Sequence, residues 1–256
     1  MSSRSEPTIL ELHDIGFSYG RNRYAFTDLS FSVGEGEFIG LLGANGSGKS
    51  TILKLCSGIF QPTAGRIMLW GKHLDSYRNR DRAKLISYLP QTLDIGVPFT
   101  VRELVDMGLY PYDLPPSITI DDALDMVGLR EKADEHISDL SGGEKRRAFI
   151  AMTLLQGAGL LLLDEPLANL DIKYQIELLS LLGKIREEKG VSVVMALHDI
   201  NIALQFEKVL LIRDGKPLGF GKPDEILTGQ GIREAFGVSV KIVRHDGKTY
   251  VRYEEN

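Results

Sequence analysis

The stretch Phe38-Ile-Gly-Leu-Leu-Gly43-Ala-Asn-Gly-Ser-Gly48-Lys49-Ser50-Thr51 constrains this chain more than any other. An apolar run with a β-former at Ile39 ends in a glycine-rich turn, and Ile52, Leu53 and Leu55 then supply a helical apolar face. The turn matches G-x-x-x-x-G-K-[ST], the loop that cradles phosphates. Each residue type has a physical reason. Glycines at 43, 46 and 48 let backbone N–H groups turn inward on an anion with no Cβ in the way. Lys49 brings a point charge for β- and γ-phosphates, and the Ser50 hydroxyl can ligate Mg²⁺. A helix starting near Gly48 aims its positive end at the same phosphates. The expected phosphate-binding residues are Gly43, Ala44, Asn45, Gly46, Ser47, Gly48, Lys49, Ser50 and Thr51.

Composition narrows what such a loop can serve. A chain of 256 residues can bury a sizeable core. Its net charge of -5 argues against nucleic acid as the main partner. No apolar run approaches the ~18 residues of a membrane span. The start, Met1-Ser-Ser-Arg-Ser-Glu-Pro7, has no apolar core, so no secretory signal is expected. The single cysteine, Cys56, sits among Leu53, Leu55 and Ile59 and is expected to be a small core residue. One cysteine forms no internal disulfide, which suits a reducing compartment.

Along the chain, alternation predicts strands at 8–19, 25–33, 37–42, 66–70 and 85–89, with one helix after the phosphate loop. Residues 92–159 then change character to helical pattern. Thr100-Val-Arg-Glu103 opens one helix as a capping box, 121–129 forms a second and 141–155 a third. This region is expected to be a helical subdomain inserted into a strand-rich core. The core resumes with the buried strand Leu160–Leu163. A long helix is expected at 172–189, with Ile172, Ile176, Leu179, Leu182 and Ile185 as its buried face and Gly190 as its stop. The strand 191–197 is apolar and β-branched, as in parallel sheets. A short helix at 200–206, a hairpin turning at Asp214-Gly215, short helices over 223–236 and a hairpin turning at Asp246-Gly247 complete the chain.

Two further constellations carry chemistry. Leu160–Leu163 delivers Asp164-Glu165 at its carboxyl end, where parallel α/β sheets bind ligands. Asp164 can hold Mg²⁺ through water, and Glu165 can polarise an attacking water. Leu140-Ser-Gly-Gly-Glu144 opens a helix with Ser141 as N-cap and Glu144 three residues on. Gly142 and Gly143 would also let a phosphate approach that helix end, and the two readings are compatible.

Taken in order, these motifs resemble those of the ATP-binding cassette (ABC) ATPases, the nucleotide-binding subunits of transporters. The resemblance covers roughly residues 8–230. It rests on the phosphate loop (Walker A), Gln91, Leu-Ser-Gly-Gly-Glu144, Leu-Leu-Leu-Leu-Asp164-Glu165 (Walker B), Ala168-Asn-Leu-Asp171 and His198. It implies an α/β fold: a P-loop NTPase core, with a mixed parallel sheet and an antiparallel β-subdomain, plus the inserted helical subdomain. A single ATPase domain would then have its core at 1–91 and 160–222, its helical part at 92–159 and a C-terminal extension at 223–256. ATP and Mg²⁺ are the implied cofactors. Tyr19 resembles the aromatic that stacks on adenine, though a core strand aromatic is the alternative. Gln91 resembles the residue that touches Mg²⁺ or the attacking water and senses the helical subdomain. Asp171 resembles the loop aspartate that crosses the dimer interface, and it can equally be the N-cap of the long helix. His198 resembles the histidine on the γ-phosphate. The implied catalytic residues are Lys49, Glu165 and His198, the implied metal residues Ser50, Gln91 and Asp164, with Ser141, Gly142, Gly143 and Asp171 completing the ATP contacts. One position departs from the commonest family pattern: Glu144 stands where Gln is usual, which alters the charge balance at that helix end.

A narrower resemblance is carried by Pro98-Phe-Thr-Val-Arg-Glu-Leu-Val105 with Met107-Gly-Leu-Tyr-Pro111, Leu170-Asp-Ile172, Leu197-His-Asp-Ile-Asn201 and the ending Ile232-Arg-Glu-Ala-Phe-Gly-Val238. These are similar to importers of iron–siderophore, haem or cobalamin complexes, and zinc or manganese importers share part of them. The implied function is ATP hydrolysis at the cytoplasmic face of the inner membrane, powering uptake through separate permease subunits that a substrate-binding protein supplies. One Walker A and one signature per chain imply a second copy of the chain as partner. A non-transport ABC ATPase is the rival. The repair type would need a long coiled-coil insertion and the translation type two cassettes, and the sequence has neither. Intact Lys49, Asp164, Glu165 and His198 argue against a non-hydrolysing scaffold. Ile95, Val97, Phe99, Tyr110, Tyr112 and Leu114, with prolines at 98, 111, 115 and 116, are expected to include both packing residues and a groove for a permease helix.

Overall fold

A computed structural model describes residues 7–20, 24–93, 98–114, 118–168 and 170–253. Ile95, Val97, Pro115, Pro116 and Asn169 lie outside them. The first elements are β1 (Thr8–Ser18), β2 (Tyr24–Gly34), β3 (Phe38–Leu42), α1 (Lys49–Cys56), β4 (Ala64–Leu69) and β5 (Lys72–His73). Then come α2 (Asn79–Ala83), β6 (Ile86–Leu89), α3 (Val101–Asp106), α4 (Ile120–Met126), α5 (Gly142–Leu155), β7 (Leu160–Leu163) and α6 (Ile172–Lys189). The last are β8 (Ser192–Leu197), α7 (Ile200–Ala203), β9 (Lys208–Arg213), β10 (Lys216–Gly221), α8 (Pro223–Ile226), α9 (Gly229–Phe236), β11 (Val240–His245) and β12 (Lys248–Tyr253). The chain forms two compact units, Met1–Ser76 with Val193–Asn256, and Tyr77–Ser192.

In the first unit, β2, β1, β4 and β5 lie side by side as an antiparallel sheet. Beside it in sequence, β3 pairs in parallel with β8 on one edge and β9 on the other, and β10 closes antiparallel on β9. β3 and β8 are buried throughout, which explains why they read as unbroken apolar runs. Ile52, Leu53 and Leu55 of α1 are fully buried, each such aliphatic contributing about 1.5–3 kcal/mol. Cys56 lies among them, buried, and desolvation pushes its thiol well above the usual range. Asp214 and Gly215 have φ of 47° and 74°, and Asp246 and Gly247 49° and 72°, the paired left-handed residues of two-residue hairpins. Asn201 holds the last hairpin: its side chain accepts from the Val251 N–H at 2.8 Å and donates to the Val251 carbonyl at 3.3 Å.

In the second unit, β6 and β7 pair in parallel. Helices α3 and α4 pack on α5 through Val101, Leu104, Val105, Ala123 and Leu124, all buried. Three of its helices begin with a complete capping box, Thr100 with Glu103, Thr119 with Asp122 and Ser141 with Glu144. The long helix α6 stops at Gly190, whose φ is 65°. Its buried face corrects the expectation. Leu178, Leu182 and Ile185 are buried, whereas Ile172 and Ile176 are 76% and 63% exposed and Leu179 is half-buried. Leu178 lies two residues beyond Ile176, about 200° around the helix, so one stripe cannot hold both. The helix expected at 200–206 is shorter, Ile200–Ala203.

Candidate nucleotide site

Each unit carries its own group of the expected residues. In the first, Leu42 of β3 stands opposite Leu197 of β8. The phosphate loop and His198 therefore leave neighbouring parallel strands at the same end. The loop turns on a bond from the Ser47 N–H to the Ala44 carbonyl at 3.1 Å, with Ala44, Asn45 and Gly46 exposed at its tip. Gly48 has φ of 109° just before α1, and a Cβ there would drive into the Phe26 ring, so glycine is required twice over. Lys49 is buried, and its ammonium donates to the Gly43 carbonyl at 2.8 Å and the Ala44 carbonyl at 3.3 Å. The Ser50 hydroxyl and Thr51 follow in the first turn of α1. The Thr51 hydroxyl pairs with the Tyr19 hydroxyl. Tyr19 stands edge-on to Phe17 and Phe60, with ring centroids 5.0 and 5.8 Å away, and is 56% exposed. It is thus a braced surface aromatic beside α1 and no buried strand residue. His198 is exposed, and the next residue, Asp199, caps α7 by accepting from the Asn201 and Ile202 N–H groups at 2.7 and 3.2 Å.

In the second unit, Leu89 of β6 stands opposite Leu163 of β7. Gln91 and Asp164-Glu165 accordingly emerge together. The Gln91 side-chain amide donates to Oε2 of Glu165 at 2.7 Å. Asp164 is buried and accepts from the Tyr88 hydroxyl at 3.3 Å. Burial and then the Asp164 charge push the Tyr88 hydroxyl above its usual range, so it stays a donor. Asp171 occupies the N-cap position of α6 but makes no side-chain capping bond there. Gln175 braces the preceding loop instead, donating to the Leu170 carbonyl at 3.0 Å.

Ser141, Gly142 and Gly143 open α5. A Cβ added at Gly142 would meet nothing within 4 Å, so that side of the helix start is open. Glu144 closes the capping box, accepting from the Ser141 N–H at 2.9 Å, and pairs with Lys132 at 2.9 Å. The Lys132 hydrogen bond, then those of Ser141, hold its carboxyl down at about 2. Such a group stabilises the fold above its ordinary pKa of 4.5 and stops doing so as pH falls toward about 2. Glu144→Gln keeps the box and drops the charge. It is expected to lower the Tm at pH 7, with the gap to the wild-type chain closing below pH 4.5. A gap that stayed constant across that range would assign the effect to something other than the carboxylate charge.

One residue of this group was not singled out by motif. Arg146, two residues into the helix beyond Glu144, is 6% exposed and donates from all three guanidinium nitrogens to backbone carbonyls at 90–91 and 164–166. Desolvation lowers its pKa, and the Asp164 and Glu165 charges oppose that shift. The available signal was its place three and four residues before Phe149 and Ile150, which puts a charge on the buried face of α5.

The ABC transporter family matches residues 26–168, more than half of the chain. The chain belongs to the ABC transporter family. Among relatives of this ABC ATPase, the petrobactin import ATP-binding protein FpuC of Bacillus anthracis is 36% identical over 236 residues, covering 89% of this chain and 87% of that protein. The hemin import ATP-binding protein HmuV of Bordetella avium is 36% identical over 250 residues, covering 92% and 95%. Among solved structures, an inward-facing ABC transporter assigned to the metal-chelate type superposes with a TM-score of 0.81 at 26% identity, covering 96% of this chain and 97% of that one. A bacterial ABC transporter cassette solved as a dimer gives a TM-score of 0.76 at 27% identity, covering 84% and 99%. The fold is the P-loop NTPase fold of ABC ATPases, and the chain is an ATP-binding, ATP-hydrolysing subunit of that family. Among the described residues, no helix of this ABC ATPase is long and apolar enough to cross a membrane.

Proposed function

We propose that this ABC ATPase powers uptake of a metal-chelate substrate, of the iron–siderophore, haem or cobalamin kind, through separate permease subunits at the cytoplasmic membrane face. The observation that carries the catalytic part is the Gln91–Glu165 hydrogen bond of 2.7 Å, which fixes one carboxylate oxygen at the end of a buried strand. The chain's residues then act as follows. Gly43 to Thr51 hold the phosphates of ATP, with Lys49 as the charge among them, and Tyr19 stacks on the base. Glu165 accepts a proton from the attacking water, oriented by the Gln91 amide. His198 contacts the γ-phosphate. Ser141, Gly142, Gly143 and Asp171 complete the site of a second copy of the chain, as one loop and one signature per chain require. Ser50, Gln91 and Asp164 offer only hydroxyl, amide and carboxylate oxygens, the hard donors Mg²⁺ takes. When bound, Mg²⁺ supplies positive charge to the phosphates. In this reading the chain acts as a single ATPase domain, with 92–159 as its helical subdomain.

The cargo class and partners are supported by the import proteins named above and by a surface on the second unit. Tyr110 and Leu114 are 84% and 83% exposed, on a loop braced from beneath. Arg80 donates to the Pro111 carbonyl at 3.0 Å and pairs with Asp113 at 2.7 Å, and the Tyr112 hydroxyl donates to the Gln156 carbonyl at 2.8 Å. That bond ties the half-buried Tyr112 into the helical subdomain, whereas Tyr110 is the fully exposed aromatic of this loop and the better docking candidate. Tyr110→Glu is expected to spare the purified chain's ATPase activity and to abolish co-purification with the permease and metal-chelate uptake by the reconstituted transporter. Full uptake by that variant would place the coupling surface elsewhere.

A further inference from the structure

The web around Arg146 lies entirely within the second unit. Its Nε donates to the Pro166 carbonyl at 3.1 Å. Nη1 donates to the Gln91 carbonyl at 2.9 Å and lies 3.5 Å from that of Pro90. Nη2 donates to the Asp164 carbonyl at 3.0 Å and to that of Glu165. A single side chain thus ties the end of β6, the end of β7 and the first turns of α5.

What it ties is unusual backbone. Glu165 has φ of 50°, the only non-glycine residue of this unit with positive φ among the described residues. A glutamate gains nothing intrinsic from that conformation, which persists where surrounding bonds over-determine it. Arg146 supplies those bonds on both sides, at the carbonyls of 164, 165 and 166. The same guanidinium fixes the Gln91 backbone, and the Gln91 amide returns to the Glu165 carboxylate. A closed circuit results: Arg146 to the Gln91 carbonyl, the Gln91 side chain to Oε2 of Glu165, the Glu165 carbonyl back to Arg146. A planar fork with five donors can serve this many acceptors at fixed angles, and a lysine ammonium cannot.

We infer that Arg146 is a positioning residue, which sets the Glu165 carboxylate and the Gln91 amide relative to the start of the α5 helix. The inference rests on Glu165 as the proton acceptor. It adds that the carboxylate's aim is held from α5, the helix whose first residues are Ser141, Gly142 and Gly143. A displacement of that helix start moves the guanidinium and, through it, the backbone carrying the carboxylate.

The test uses the full chain with Mg-ATP and the variants Arg146→Met, Arg146→Lys, Glu165→Gln and Arg146→Lys with Glu165→Gln. A misaimed base costs ~10²-fold in kcat while leaving ATP capture to the other residues. Arg146→Met is expected to show that loss with KM and directly measured ATP affinity within about threefold of wild type. Arg146→Lys, which keeps the charge and loses the fork, is expected to recover less than about tenfold of it. In the Glu165→Gln background, Arg146→Lys is expected to cost nothing further, because Arg146 acts through Glu165. If kcat, ATP affinity and Tm fall together in both Arg146 variants, the residue is structural and the inference is overturned. It is equally overturned if lysine restores full turnover, or if the double variant loses the full single-variant factor again. Should the methionine variant not fold, the lysine variant and the double variant carry the same comparison. A failure of the underlying assignment reads differently: Glu165→Gln alone would then turn over at the wild-type rate, and the inference would fall with it.

Discussion

Replacing Glu165 by glutamine is expected to cut ATP turnover ~10²–10⁴-fold while leaving ATP binding intact. The substitution removes only the capacity to take a proton. Glutamine matches glutamate in shape and carries the same backbone preference at φ 50°. Its carbonyl oxygen still accepts from the Gln91 amide, and the Arg146 bonds to the carbonyls of 164–166 do not involve the side chain at all. Nucleotide capture therefore persists, and with hydrolysis blocked an ATP-bound dimer should live long enough to elute as such in gel filtration. Turnover near wild type in this variant would remove Glu165 from the role of base.

The second large effect concerns which chain completes which site. Lys49→Ala removes a buried ammonium, and a charged hydrogen bond of ~1.5–3 kcal/mol predicts at least about tenfold weaker ATP binding. Gly143→Asp introduces a carboxylate at the start of α5 without forcing the fold. A Cβ there would meet Leu170 at 3.5 Å and Tyr174 at 3.8 Å, ordinary contacts, and an acid is favoured at a helix N-terminus. Its penalty falls on an approaching phosphate of like charge. Each variant should be inactive alone. Mixed, the Gly143→Asp chain's phosphate loop faces an intact Ser141–Gly143 segment from the Lys49→Ala chain, and partial ATPase activity should return. If the mixture stays dead, with each defect confined to its own chain's nucleotide, the two-copy arrangement is wrong.

Local chemistry was legible in the chain. The capping boxes at Thr100 and Ser141 and the turns at Asp214-Gly215 and Asp246-Gly247 depend on residues within three positions of one another. The strand ends that carry Gly43, Asp164 and His198 were marked by apolar runs stopping abruptly, whereas Gln91 stood out only through the family resemblance. What could not be read is non-local. The acceptors of Arg146 lie 18–56 residues away in sequence, and no spacing rule announces them. The Tyr112 hydroxyl finds a carbonyl 44 residues on, which turned an aromatic in a proline-rich loop into a packed brace. On α6 the pattern misled because Ile172, Ile176, Leu178, Leu179, Leu181, Leu182 and Ile185 crowd several sides of the helix. Only packing chose among the stripes.

The burial of Cys56 has a use of its own. It is the chain's one thiol, it has no exposed surface, and desolvation keeps it protonated at neutral pH. Thiol reagents therefore find the folded protein silent, and a cysteine installed at position 110 would be the sole label without any background to remove. The silent thiol is also a clock. It reacts only when the structure around it opens, so its modification rate counts those openings. ATP, by binding the closed form, should slow the count in proportion to its occupancy.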